Sequence, residues 1–198
     1  PMGVALHAVN RSQAGPGSKV VVLGVGPIGL GAVIWLKHKG VEHVVAVDLS
    51  TDRLERARRF GADAVIQAGV GDLGDQLRAL HGTARRGYVG TDIFIDAAGS
   101  PAALAEIVSL AKFRSHLTVV AVYKQPVPMD LSAMLHKEMS MSTSLAYPDE
   151  LGEVVAFLGA NAERMRDYIS HHYELADIHA AVDQARRPDA AKVMVEMR

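Results

Sequence analysis

The chain has 198 residues, with 21 Lys and Arg against 22 Asp and Glu and 49% hydrophobic residues. That is the composition of a globular domain and excludes a mainly disordered chain. A formal charge of −1 argues against an electrostatic nucleic-acid binder, and no apolar run approaches the roughly 18 residues of a membrane span. Cysteine is absent, so this chain carries no disulfide framework, no Cys nucleophile and no thiolate metal site.

The opening residues, Pro1 to His7, have no basic stretch ahead of an apolar one and do not read as a signal peptide, so a cytoplasmic location is expected. Four apolar runs follow: Val20 to Leu23, Val44 to Val47, Ile93 to Ile95 and Leu117 to Val122, with a weaker fifth at Ala64 to Ile66. None alternates with polar residues, which is the pattern of strands buried on both sheet faces. Helical stretches separate them. Residues 27 to 39 are apolar almost all round and predict a central helix. Residues 50 to 60 set Asp52 against Arg56 and Glu55 against Arg59 at i,i+4, with Gly61 as the stop. Residues 72 to 81 put Leu73, Leu77 and Leu80 on one face, and Ser100-Pro101 caps a helix over 101 to 111. This alternation implies βαβ units and an α/β fold with a doubly wound parallel sheet, in the order 3-2-1-4-5-6.

Beyond Val122 the pattern changes. Tyr123 to Asp130, with Pro126 and Pro128, reads as a loop. A strand over 138 to 145, helices over 149 to 159 and 177 to 186, and a strand over 191 to 197 follow as short pieces of a second layer or domain.

One motif carries chemistry. Gly24-Val25-Gly26-Pro27-Ile28-Gly29 is G-x-G-x-x-G between a strand and a helix. The first glycine permits the tight turn, the second lets a pyrophosphate approach, and the third lets helix and strand pack closely. The helix start presents unpaired N–H groups to the phosphates. The second strand ends at Asp48, 19 residues past Gly29, where an acidic side chain accepts from the ribose hydroxyls. Asp48 also repels a 2′-phosphate. Leu49 and Ser50 follow it with no Arg to hold one, so NAD is expected over NADP. An S-adenosylmethionine-dependent methyltransferase uses a similar loop and acid and stays open as an alternative, as does a non-enzymatic dinucleotide-sensing module. A short-chain dehydrogenase needs Tyr with Lys four residues on, and no such pair exists here.

These residues resemble the medium-chain, zinc-dependent alcohol and polyol dehydrogenases. The likeness extends over Pro1 to Val9, Pro16-Gly17, the glycine loop, Gly61-Ala62-Asp63, Asp96 to Ser100 and Lys192 to Val195. Residues 119 to 147 are similar to the sorbitol and 2,3-butanediol dehydrogenase branch. The resemblance implies roles. Gly24, Gly26, Pro27, Ile28 and Gly29 would line the pyrophosphate and nicotinamide, with Asp48 and Leu49 at the adenosine ribose. Arg53 would reach the same ribose, or is an ordinary helix-surface charge beside Arg56, Arg58 and Arg59. Ala97, Ala98 and Gly99 would pass near the adenosine half, and Val120, Ala121 and Val122 would meet the carboxamide end. Leu145 would approach the nicotinamide from the domain junction. Lys192 would reach the pyrophosphate, or is simply solvated.

The departure from that family is the catalytic zinc. The resemblance places its ligands upstream of the position matching Pro1, and the nine His residues do not replace them. The expectation is therefore a cofactor-domain fragment: an NAD-binding domain over 1–146 and a C-terminal strip of a catalytic domain over 147–198. It would have no catalytic residue, no metal and no dehydrogenase activity of its own. Zinc and the small-molecule alcohol substrate would belong to the intact parent. A homodimer through the sheet edge at 138–145 is expected, with neither nucleic acid nor membrane as partner.

Overall fold

The computed structural model describes residues 1–187 and 189–197. Chain order begins with α1 (Met2–Ser12), β1 (Lys19–Leu23), α2 (Pro27–His38), β2 (His43–Asp48), α3 (Thr51–Arg59), β3 (Ala64–Gln67) and α4 (Leu73–His81). It continues with β4 (Ile93–Asp96), α5 (Pro101–Leu110), β5 (His116–Val119), α6 (Leu131–His136) and β6 (Ser140–Thr143). The last elements are α7 (Leu151–Ala160), α8 (Ala162–Met165), β7 (Ile169–Glu174), α9 (Ile178–Ala185) and β8 (Lys192–Glu196).

Six strands form one parallel sheet in the order β3-β2-β1-β4-β5-β6, as the strand–helix alternation predicts. The chain reverses direction across the sheet between β1 and β4, which opens a crevice beyond the carboxyl ends of those strands. Val20 to Leu23 are buried without alternation because helices cover both faces. One buried cluster joins α1, α2, α3 and α7 to one face, and a second joins α4 and α5 to the other. Trp35 is fully buried within the first, its indole N–H donating to Met2 O at 2.9 Å and its ring 4.5 Å from Phe157.

The helix signals read from sequence hold at most ends. Ser100 caps α5 by accepting from Ala103 N, with Pro101 first in the helix. Gly61 follows α3 at φ 105° and donates to Arg58 O. Three expectations fail. The i,i+4 pairs on α3 do not form: Glu55 meets Arg58 at 4.0 Å, and Arg56 instead donates to Asp189 O. On α4, Leu73 and Leu77 face the sheet, but Leu80 is exposed and the neighbouring His81 is buried in its place. Helix α6, after the proline loop, was not expected; it is short, and Asp130 caps it by accepting from Ala133 N.

The C-terminal segment forms a second, two-stranded parallel sheet, β7 with β8, joined through α9. It is fixed to the rest by α7 and by Tyr168, whose hydroxyl donates to Pro27 O at 2.6 Å. Val154, Phe157, Met165 and Tyr168 belong to the same buried cluster as Trp35, so the apolar core continues across residue 146.

Candidate cofactor crevice

The glycine loop sits where β1 ends. Gly24 has φ 76°, and a Cβ there would lie 2.7 Å from Ala98 Cα, so a bare backbone is required on both counts. A Cβ on Gly29 would lie 1.8 Å from Gly24 O and 3.4 Å from Ala97 Cβ. These distances bring Gly24–Gly29 and Ala97–Gly99 face to face, as expected of the crevice. At Gly26, the N-cap of α2, the nearest atom a Cβ would meet is Arg53 Nη1 at 3.8 Å. Packing does not demand glycine at that position; what a side chain there would fill is the open approach to the start of α2.

Asp48 ends β2 beside this loop and is buried. Its Oδ2 accepts from Val25 N at 2.8 Å and its Oδ1 from Ser50 N at 2.9 Å. A carboxylate has about four lone-pair sites, so each oxygen keeps capacity for another donor. Arg53 Nη1 stands 4.0 Å from Asp48 Oδ2, while Arg53 Nε is buried without a hydrogen-bond partner. The guanidinium thus lies near both Gly26 and Asp48, and its Nη2 donates to Arg187 O at 3.4 Å.

The far wall is organised by a residue to which sequence reasoning gave no role of its own. Asp96, at the end of β4, is 2% exposed. Its Oδ1 accepts from Ala98 N and Gly99 N, each at 3.0 Å, and its Oδ2 accepts from the Tyr123 hydroxyl at 2.6 Å. Its main-chain O accepts from Val120 N and Ala121 N, each at 3.0 Å. A single residue, through side chain and main chain together, therefore shapes both segments, 97–99 and 120–123. Burial, with the bond to Asp96, raises the Tyr123 phenol well above the ordinary tyrosine range and keeps it a donor. The available signal was an acid ending an apolar strand before Ala-Ala-Gly.

Val122 and Leu145, each 84% exposed, lie beyond the carboxyl ends of the adjacent strands β5 and β6, and Leu49 projects beyond β2. All three expose large apolar side chains at the carboxyl end of the sheet, the end at which the crevice opens. Lys192, with Pro1, Met2, Gly3, Tyr147 and Tyr168, borders a cavity of about 430 Å³, and the Tyr168 hydroxyl in turn donates to Pro27 O at the start of α2. Among the described residues no group of three His, Cys, Asp or Glu is placed to hold a metal ion, and no helix is long and apolar enough to cross a membrane.

A doubly wound sheet with a glycine turn at its reversal and an acid ending the second strand defines a nucleotide-binding α/β domain. Residues 27–160 match the zinc-binding dehydrogenase family, and the chain belongs to that family. It is similar to sorbitol dehydrogenase of Bacillus subtilis (strain 168), 27% identical over 98% of this chain and 55% of the relative. It is also similar to erythritol/L-threitol dehydrogenase of Mycolicibacterium smegmatis, 28% identical over 92% of this chain and 49% of the relative. Among solved structures, an alcohol dehydrogenase from E. coli CFT073 complexed with NADH superposes with a TM-score of 0.86 at 26% identity, over 98% of this chain and 56% of that one. The chain spans about half the length of the curated relatives it matches.

Proposed function

We propose that this chain is the NAD-binding half of a zinc-dependent dehydrogenase that oxidises a secondary alcohol or polyol. The observation that carries the reading is the open space over Gly26, between the start of α2 and the Asp48 carboxylate. A helix start offers unpaired N–H groups and the positive end of its dipole to an anion, and among the described residues the nearest group to that approach is the Arg53 guanidinium, itself a cationic donor. The residues fit a dinucleotide. The α2 start would hold the pyrophosphate, lined by Gly24 to Gly29. Asp48 would accept from the adenosine ribose hydroxyls, with Leu49 beside it. The unpartnered Arg53 Nε would turn to the same ribose or to a phosphate oxygen.

Asp96 keeps Ala97, Ala98 and Gly99 at the adenosine side, and holds Val120, Ala121 and Val122 for backbone contact with the nicotinamide end. Leu145 and Val122 would exclude water there. Bound NAD would supply the hydride acceptor. Lys192, at the cavity beside Pro1, would serve the cofactor through its charge. Zinc has no fitting ligand set among the described residues; zinc and the alcohol site would be completed by residues outside this chain. The division into a cofactor domain, 1–146, and a catalytic-domain strip, 147–198, belongs to the same proposal, as does a cytoplasmic location.

Calorimetric titration tests the reading. NADH binds, NADPH binds more weakly, and S-adenosylmethionine gives no heat. Asp48→Ala narrows the NADH–NADPH gap, because it removes both the ribose acceptor and the repulsion of a 2′-phosphate. S-adenosylmethionine binding in place of NADH overturns the dehydrogenase reading in favour of a methyltransferase, and NADPH binding as tight as NADH overturns the NAD preference.

A further inference from the structure

A second pocket lies at the opposite end of the sheet from the crevice. Its walls are the segment before β4 and the segment before β5, so it opens at the amino ends of those strands. Its volume is about 420 Å³, within the range of small-molecule sites. Arg85, Arg86, Lys112 and Arg114 line it together with Tyr88 and Phe113.

The charges are unevenly compensated. Lys112 pairs with Asp92, and Arg114 Nε donates to Glu138 Oε2 at 2.8 Å. Neighbouring Arg78 is held by Asp75 and by Gly87 O. Arg85 and Arg86 are exposed and have no ion-pair or hydrogen-bond partner among the described residues. Two adjacent guanidinium groups with free donors suit the fixed geometry of a phosphate better than that of a single carboxylate.

The aromatic residues add a different preference. Phe113 is 50% exposed inside this polar setting. Tyr88 has one face taken by the Lys137 ammonium, 4.3 Å from the ring centroid. Lys137 is itself buried and spends its protons on Val108 O and Ser109 O, so it fixes the ring and does not compete for an anion. Among the described residues, three of the five non-glycine residues at positive φ, Arg86 (62°), Arg114 (60°) and Glu138 (49°), cluster here. Such backbone is held only where the surrounding structure determines it, and it concentrates at ligand-binding segments.

We propose that this pocket is a second ligand site, for a phosphomonoester carried on a flat ring system, the chemistry of a nucleoside monophosphate. Arg85 and Arg86 take the phosphate, and Phe113 with Tyr88 takes the ring. The site is independent of the cofactor crevice and stands whether or not the crevice binds NAD.

The test is a titration of the full chain with adenosine monophosphate, followed residue by residue through backbone amide shifts. The expected result is saturable shifts at Arg85–Tyr88 and Lys112–Arg114. Arg85→Gln with Arg86→Gln weakens binding at this site roughly tenfold or more, and inorganic phosphate or adenosine alone binds roughly tenfold more weakly than the whole nucleotide. Shifts confined to Gly24–Gly29 and Asp48 overturn the proposal, as does binding unchanged in the double variant. Inorganic phosphate binding as tightly as the nucleotide overturns the assignment of a ring subsite.

Discussion

The Tyr123 hydroxyl donates to Asp96 Oδ2 at 2.6 Å, tying the loop after β5 to the carboxylate that also holds Ala98 N and Gly99 N. Two segments 27 residues apart thereby become one wall of the crevice. Removing the hydroxyl by Tyr123→Phe deletes one hydrogen bond to a charged group, a loss of about 1.5 kcal/mol. Asp96→Ala is costlier, because it also strands two main-chain N–H groups. Urea unfolding measures both, and a Tyr123→Phe midpoint equal to that of the parent chain contradicts the role given to this pair.

Gly24 and Gly40 separate conformational strain from close approach. Both have left-handed φ, 76° and 78°. A Cβ at Gly24 strikes the backbone at Ala98, whereas one at Gly40 meets nothing within 4 Å. Gly40→Ala therefore costs about 1–2 kcal/mol of left-handed strain alone. Gly24→Ala adds a steric clash that the sheet cannot relieve, and its melting temperature falls further. Equal losses in thermal unfolding of the two variants contradict the close packing of the glycine loop on residues 97–99.

His81 is a buried titratable group outside the crevice. Its Nδ1 lies 2.9 Å from Thr91 Oγ1, and its Nε2 has no partner. Burial first, then the nearby charges of Lys19, His43 and Lys112 against Asp92, lower its pKa to about 4. The unfolded chain, with an ordinary histidine near 6.5, takes the proton more readily. The stabilisation from neutral His81 is complete above that value and is lost progressively as pH falls toward 4. Linkage gives a loss of about 2 kcal/mol between pH 7 and pH 5. In urea titrations at those two pH values, His81→Asn shows a smaller decline than the parent chain; an identical decline contradicts this assignment.

These contrasts show what the sequence made legible. Unbroken apolar runs such as Val20 to Leu23 announced a doubly covered parallel sheet, because such a pattern has no solvent face. The glycine loop and Asp48 were readable because their roles depend on local spacing. Asp96 was not, because its importance lies in hydrogen bonds to Tyr123 and to main chain across β5, which no spacing encodes. Leu80 misled for a related reason: α4 turns His81 inward to meet Thr91, a partner ten residues away in the segment before β4. Lys192 stood out only as a base in a late strand, and its neighbours Pro1 and Tyr147 are distant in sequence.

One outer edge of the sheet is β6, whose Ser140 and Thr143 are exposed, as is Met141 at 46%. Unpaired edge groups invite a second chain, and a two-fold pairing closes the contact. We propose that the chain dimerises through this edge, as part of the 138–145 segment. Light scattering at micromolar concentration is expected to report a dimer that Met141→Lys dissociates. A monomer, or a dimer unaffected by Met141→Lys, contradicts it.

The most direct test of the cofactor proposal is the structure of this chain with NADH. The account predicts the pyrophosphate against the start of α2 over Gly26, the adenosine ribose hydroxyls on Asp48, and the nicotinamide beside Val120 to Val122. A dinucleotide bound anywhere else, or one that leaves Gly26 and Asp48 untouched, would contradict it.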